Sequence, residues 1–377
     1  MFPYLSLISL VAFAGGIQNS HNKFSVPAYT PVIFNLCLIV AAILIAPMYE
    51  MPIFVLAWGV LLAGILQLLI QILPLWQIKR LPVPKINFKN SGLRRFLKLV
   101  APAILAGGII QINLLVDTIF ASLLETGSPT WLYVSDRLIQ FPMGIFAIAI
   151  GTVLLPTLSK LDLKNEKIKF IQSVHKGQRF VIFIAVPSLI GLFFCAEDLI
   201  STIFYRGAFT QIDVLNSSYS LMAFSFGLPF FMLMKVLTPA FFARKDTKTP
   251  MYVAMVSLLL NASLNYYLAF MLDFGHIGIA LGSSIAALIS VLILEFILYK
   301  DGFIKIKSVF NRFNIMILFS SLSLILFLNF YTNLTNFIEF SQVERLLYLS
   351  IEVIISIIIY GAVSRLILRK PIQTLFE

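Results

Sequence analysis

The stretch YVSDRLIQF, residues 133–141, places an acid and a base side by side between two long apolar segments. Asp136 and Arg137 therefore fall inside a predicted membrane-spanning helix, where one charged side chain costs roughly 2.5–3.5 kcal/mol or more. Charged residues at that depth indicate transport or ligand binding, because they are otherwise rare there. Adjacent residues on a helix do not face each other, so we expect Arg137 to pair with Asp117, which is predicted at nearly the same depth on the preceding helix.

Other polar residues are predicted at the depth of Asp117. Asn261 and Asn265 are four residues apart and therefore share one helix face. Ser283 lies at a similar depth on the helix that follows. An anionic head group would suit Arg137, whereas a hard cation would suit Asp117 together with amide and hydroxyl oxygens.

The same residues also allow a simpler interpretation, which the sequence leaves open. Arg137 and Lys235, the two basic residues inside spans, could extend their charged ends to the nearest membrane interface. Asparagine and serine side chains often only link neighbouring helices. Asp198 and Glu352 lie near predicted span ends, so we expect them to be solvated. The sequence carries no catalytic constellation and no metal-ligand spacing, so it predicts neither an enzyme nor a metal site.

The composition requires a membrane for these helices. Of the 377 residues, 59% are hydrophobic and 12% are charged, whereas soluble domains carry about 25% charged residues. The expected fold is an all-α, polytopic membrane bundle. About 20 apolar residues cross a bilayer as a helix, and eleven such spans are predicted, near residues 1–19, 30–47, 53–76, 98–124, 130–157, 180–204, 212–243, 249–272, 276–299, 313–332 and 346–368.

The basic residues predict an orientation for these spans. If the eleven spans alternate, all but four of the 28 lysines and arginines fall on one side, and the positive-inside rule makes that side the cytoplasm. The net charge of +11 is then topological, which argues against a nucleic-acid partner. The C-terminus is predicted to be cytoplasmic and Met1 to lie outside, so we expect an odd number of helices to be missing upstream.

Several long segments resemble the MurJ (MviN) family of bacterial lipid II flippases, within the multidrug/oligosaccharidyl-lipid/polysaccharide (MOP) exporters. They include APAILAGGIIQINLLVDTIFASLL, SDRLIQFPMGIFAIAIGTVLLPTLSK and KVLTPAFFARKDTKTP. The resemblance implies a two-lobe helical fold in which the first three family helices are absent. Residues 1–78 would form the second half of the N-lobe with three spans, 93–300 the C-lobe with six, and 310–369 two extra C-terminal helices.

The resemblance also implies a function. The chain is expected to flip lipid II, the undecaprenyl-linked peptidoglycan precursor, between the leaflets of the bacterial inner membrane by alternating access, without a cofactor or enzymatic step. Arg137, Asp136 and Lys235 would bind the head group. Membrane lipids and the cell-wall synthesis machinery are the other expected partners.

The driving force is expected to be membrane potential or Na⁺. Some family members resemble sodium-coupled transporters, and their cation-site positions correspond here to Asp117, Asn261, Asn265 and Ser283. Asn265 stands where those members have an aspartate, so one carboxylate is lost from the cation site. Two rival functions remain open from the sequence: another MOP-type exporter, of lipid-linked polysaccharide or of drugs with a coupled cation, and a truncated, non-transporting remnant.

Overall fold

The computed structural model describes residues 2–21, 23, 25–79, 91–161, 165–304, 312–332, 334–335 and 337–368. These residues contain helices and connecting turns but no strand, so the all-α prediction is confirmed. The chain divides into two units, Met1–Asn90 and Ser91–Glu377.

The first unit contains three helices. They are α1 (Phe2–Ser20), α2 (Ser25–Val40) and α3 (Pro52–Gln77), and α3 packs against both of the others. Buried polar side chains also join them: the Gln67 amide donates to the Thr30 carbonyl oxygen at 2.8 Å. Interhelical hydrogen bonds of this kind hold helices together where the surrounding lipid is as apolar as the protein.

The described residues of the second unit form eleven α-helices. They are α4 (Ser91–Ser122), α5 (Ser128–Pro142), α6 (Ile148–Ser159), α7 (Lys167–Phe194), α8 (Ala196–Phe204), α9 (Gln211–Ser225), α10 (Leu228–Ala243), α11 (Lys248–Tyr266), α12 (Gly275–Lys300), α13 (Arg312–Thr332) and α14 (Gln342–Leu368). α11 packs between α4 and α12, and α13 packs between α7 and α14. The predicted division into lobes at 1–78, 93–300 and 310–369 remains a prediction.

Two of these spans are interrupted near prolines. A π-helical turn at Met143–Ala147 follows Pro142 and connects α5 to α6. α9 and α10 are bent by 42° relative to each other, and Pro229 lies in the first turn of α10. Proline lacks the N–H that a continuous helix needs, and such breaks are tolerated in membranes when neighbouring groups satisfy the freed backbone.

Eight helices in the described residues are long and apolar enough to cross a membrane, or nine if the bent pair α9–α10 counts as one span. Every predicted span overlaps a helix, but the total of eleven stays a prediction. The span predicted at 180–204 differs most from the structure, because α7 begins at Lys167 and ends at Phe194. The helix is interrupted at Cys195, and α8 begins at Ala196. Glu197 and Asp198 lie in the first turn of α8, where acidic side chains complement the helix dipole.

Large aliphatic side chains cover the outer surface of the helices. Leu318 on α13 is 65% exposed and Ile357 on α14 is 67% exposed. The buried core of the second unit is built from Phe170, Met232, Leu237 and Phe241, among others. Contiguous apolar surface of this extent is unsuited to water and suited to acyl chains.

Candidate functional site

A polar cavity of about 550 Å³ opens in the second unit between α4, α5 and α12. Asn113 and Asp117 line it from α4, Tyr133 and Asp136 from α5, and Ser283 from α12. Apolar side chains such as Ile279 complete its wall. The cavity therefore places two carboxyl groups in an otherwise largely apolar surrounding.

A chain of hydrogen bonds connects one of these carboxyls to α12. The Asn265 amide nitrogen donates to Asp117 Oδ1 at 2.6 Å and to Asn261 Oδ1 at 3.0 Å. The Asn261 amide in turn donates to Ser283 Oγ at 2.9 Å. The structure thus brings together the four residues that the sequence grouped by depth and spacing.

Helix packing explains why these four residues meet. Asn261 and Asn265 lie one turn apart on α11 and are both buried, on the side where α11 packs against α4 and α12. Gly282 of α12 lies directly against Asn265, and a Cβ there would overlap Asn265 Oδ1 and lie 3.2 Å from its backbone nitrogen. A glycine is therefore required at this contact.

An amide N–H occupies the side of Asp117 where a cation would bind. The nitrogen of Asn265 faces Asp117 and donates to its Oδ1. The Asn265 oxygen points away and has no hydrogen-bond partner. In the described residues, no group of three His, Cys, Asp or Glu side chains is placed to hold a metal ion. Asp117, Asn265, Asn261 and Ser283 thus form a continuous hydrogen-bond chain from α4 through α11 to α12.

The predicted ion pair between Asp117 and Arg137 is wrong. Arg137 is an exposed residue whose guanidinium carbon lies 4.7 Å from the centre of the Tyr133 ring, and its Nη1 donates to Gln140 Oε1 at 3.3 Å. Asp136, not Arg137, shares the cavity with Asp117 and accepts a hydrogen bond from the Gln140 amide.

The orientation of α5 accounts for this difference. Trp131 donates from its indole nitrogen to Asp213 at 2.7 Å, and Ser135 donates to the carbonyl oxygen of Ser217 at 2.7 Å, so this face of α5 is fixed against α9. Arg137 is two residues beyond Ser135, about 200° around the helix. It must therefore point away from that interface.

Lys235, the remaining predicted substrate-binding residue, lies at an exposed position of α10. The described lining of the cavity includes neither Lys235 nor Arg137. Sequence reasoning missed Asn113, whose amide is 3.4 Å from Asp117 Oδ2. Its spacing of four residues from Asp117 was the available signal, since such residues share a helix face.

Long apolar helices with lipid-suited surfaces, and a polar cavity at their interior, define a multi-pass helical membrane protein. A family model described as "Lipid II flippase MurJ" matches residues 1–348. The chain belongs to this family.

Relatives and a solved structure agree with that assignment. A "Probable lipid II flippase MurJ" of Vibrio cholerae is 40% identical over 301 residues, covering 80% of this chain and 57% of the relative. A protein of the same description from Haemophilus influenzae is 39% identical, covering 78% and 58%. The structure described as "Lipid II flippase MurJ, inward closed conformation" has a TM-score of 0.69 and 29% identity, covering 97% of this chain and 72% of that one. The chain thus spans less than two thirds of the length of these two relatives.

Proposed function

We propose that this chain moves lipid II from the inner to the outer leaflet of the bacterial inner membrane by alternating access. The main support is its family membership, with 34% to 40% identity to relatives described as probable or established lipid II flippases. The process is transport and requires no bond to be made or broken. The cytoplasmic C-terminus predicted from the basic residues, and contact with the cell-wall synthesis machinery, belong to the same proposal.

Arg137 is the residue that we propose to bind the substrate head group. Its guanidinium is exposed and free of a carboxylate partner among the described residues, because Tyr133 and Gln140 are its contacts. Cation–π contact leaves the guanidinium donors largely available, and arginine binds phosphate oxygens through strong charge-assisted hydrogen bonds. Asp136 would position this group through Gln140, and Lys235 would add a second cation from α10.

The bent helices support an alternating-access mechanism. Interruptions at Met143–Ala147 and between α9 and α10 give two spans a place to change direction without unfolding. Alternating access in membrane transporters proceeds by movement of one bundle against another. Such movement needs helices that can bend at defined positions.

Membrane potential, not Na⁺, is the driving force that we propose. The support is Asn265, whose neutral amide donates to Asp117 at the position where relatives with a cation site have a second carboxylate. Moving one elementary charge through 100 mV yields about 2.3 kcal/mol, and the head group of lipid II is anionic.

Complementation tests the proposed function. The 377-residue chain would be expressed in cells depleted of their own flippase, its insertion confirmed, and lipid II exposure on the outer leaflet measured. We expect exposure with the wild type and with R206A, a matched control because Arg206 is an exposed arginine between α8 and α9. R137A should abolish exposure while inserting normally. A well-inserted wild-type chain that exposes no lipid II would refute the proposal, and full activity of R137A would refute the role of Arg137.

A further inference from the structure

A second pair of carboxyl groups is buried far from the cavity, where α14 packs against α8. Glu352 on α14 is completely buried, and Asp198 in the first turn of α8 is 7% exposed. The Cys195 thiol, three residues before Asp198, contacts Glu352 Oε1 at 3.1 Å, and α14 packs against α8, so both carboxyls lie at the same helix contact. The expectation that both are solvated at span ends is therefore wrong, because packing of α14 against α8 removes them from solvent.

These carboxyls lack the hydrogen bonds that burial normally requires. Asp198 Oδ2 and Glu352 Oε2 are both buried without a partner. The single side-chain hydrogen bond described for the pair comes from the Cys195 thiol, which lies 3.1 Å from Glu352 Oε1. Buried polar groups without partners are rare in folded proteins, so two adjacent ones require an explanation.

A nearby cation does not supply that explanation. Arg345, two turns before Glu352 on α14, donates to the carbonyl oxygens of Phe337 at 2.7 Å and Ile338 at 2.8 Å. Its guanidinium also donates to the carbonyl oxygen of Ser201 and lies 4.7 Å from the centre of the Tyr205 ring. The two salt bridges in the described part of the chain, Lys169–Glu166 and Arg244–Asp301, involve neither carboxyl.

None of the other titratable groups described around the pair forms a salt bridge with either carboxyl. The hydroxyl of Tyr331 on α13 is directed to the carbonyl oxygen of Tyr348 at 3.1 Å and not to a carboxyl. Among the described residues, the titratable and charged groups near the pair include Glu197 and Cys195 from the α7–α8 corner, Tyr205 after α8, Tyr331 from α13, and Arg345 and Tyr348 from α14.

We propose that Asp198 and Glu352 form a proton-binding site that joins the α7–α8 corner to α14. Two like charges this close in a buried place cannot both be ionised, so the pair holds a proton. A proton fits better than a metal ion, because no three acidic, cysteine or histidine side chains among the described residues are placed so that they could hold a metal ion together. Loss of this proton creates an unpaired buried charge and weakens the packing of α14 against α8. This site is independent of lipid II transport.

Infrared spectroscopy of the full chain in lipid nanodiscs tests the proposal directly, through the carbonyl stretch of a protonated carboxylic acid. We expect this band at neutral pH in the wild type and its disappearance at alkaline pH. D198N and E352Q should each abolish its alkaline titration. D273N is the matched control, since Asp273 is an exposed carboxyl between α11 and α12, and this variant should leave the titrating band intact.

Two further measurements separate a proton site from its alternatives. Replacing Na⁺ by an organic cation at fixed pH should not change the band; a band that Na⁺ removes would overturn the proton assignment. The thermal stability of the wild type should fall as pH rises, because the folded state holds a proton that the unfolded chain releases. D198N should lose this slope. Absence of the band at neutral pH, or an unchanged titration in D198N and E352Q, would also overturn the proposal.

Discussion

Replacing Asn265 by aspartate tests the conclusion that an amide takes the place of a cation beside Asp117. In the wild type the Asn265 nitrogen donates to Asp117 Oδ1 at 2.6 Å. N265D removes that donor and places a second carboxylate at nearly the same position. We expect the variant to be destabilised when both carboxylates are ionised, and to regain stability when a cation or a proton binds between them.

The magnitude follows from two contributions. A hydrogen bond to a charged group is worth about 1.5–3 kcal/mol. Two unit charges roughly 4 Å apart repel by about 4 kcal/mol at an effective dielectric constant of 20. While both carboxylates are ionised, the free energy of unfolding of N265D should therefore fall by roughly 6 kcal/mol in a medium without Na⁺, which is a large fraction of the stability of an ordinary domain.

Thermal unfolding in detergent, with Na⁺ or an organic cation at equal ionic strength, measures this effect. The melting temperature of N265D should rise with Na⁺ concentration. Above the dissociation constant for Na⁺, each tenfold increase in concentration should add about 1.4 kcal/mol to the free energy of unfolding. The wild type and N265A, which loses the donor without gaining a charge, should not respond. A wild-type protein stabilised specifically by Na⁺, or an N265D protein as stable as wild type without Na⁺, would refute the reasoning.

Two other perturbations test single contacts. G282A should destabilise the chain by roughly 1–3 kcal/mol through overpacking against Asn265, whereas G107A, which meets no atom within 4 Å, should not; chemical unfolding of both variants checks this. Partial burial alone would raise the pKa of Asp246, but hydrogen bonds from the Thr249 hydroxyl and backbone N–H lower it. The stabilisation by ionised Asp246 should be present at neutral pH and be lost as pH falls through the pKa of Asp246 in the folded protein. D246A should therefore lower the free energy of unfolding by ~1 kcal/mol at neutral pH. In a pH series of melting temperatures, D246A should also lose less stability in acid than the wild type.

The grouping of Asp117, Asn261, Asn265 and Ser283 was the part of the site that the sequence predicted well. Hydropathy locates each span, and counting 1.5 Å per residue places Asp117, Asn265 and Ser283 at one level. The spacing of Asn261 and Asn265 then assigns both to one face. These inferences need only local helix geometry, and the structure shows the same four residues joined by hydrogen bonds.

Rotation about the helix axis could not be predicted in the same way. Arg137 and Asp117 were placed at equal depth, yet contacts of Trp131 and Ser135 with α9 turn Arg137 away. Those contacts join residues 82 positions apart in the chain. Sequence spacing carries no information about them, because they depend on which helices become neighbours.

The interruption between α7 and α8 at Cys195 is a second place where tertiary packing, which sequence spacing does not predict, changes the interpretation of a residue. Residues 180–204 are apolar enough to resemble one span, and Asp198 near its end looks solvated when that span is considered alone. Asp198 is buried because α8 packs against α7, α9 and α14, and Glu352 of α14 is 154 positions later in the sequence. Because a buried carboxyl pair requires a proton where two solvated carboxyls do not, the tertiary contact decides whether these residues are chemically inert or form a site.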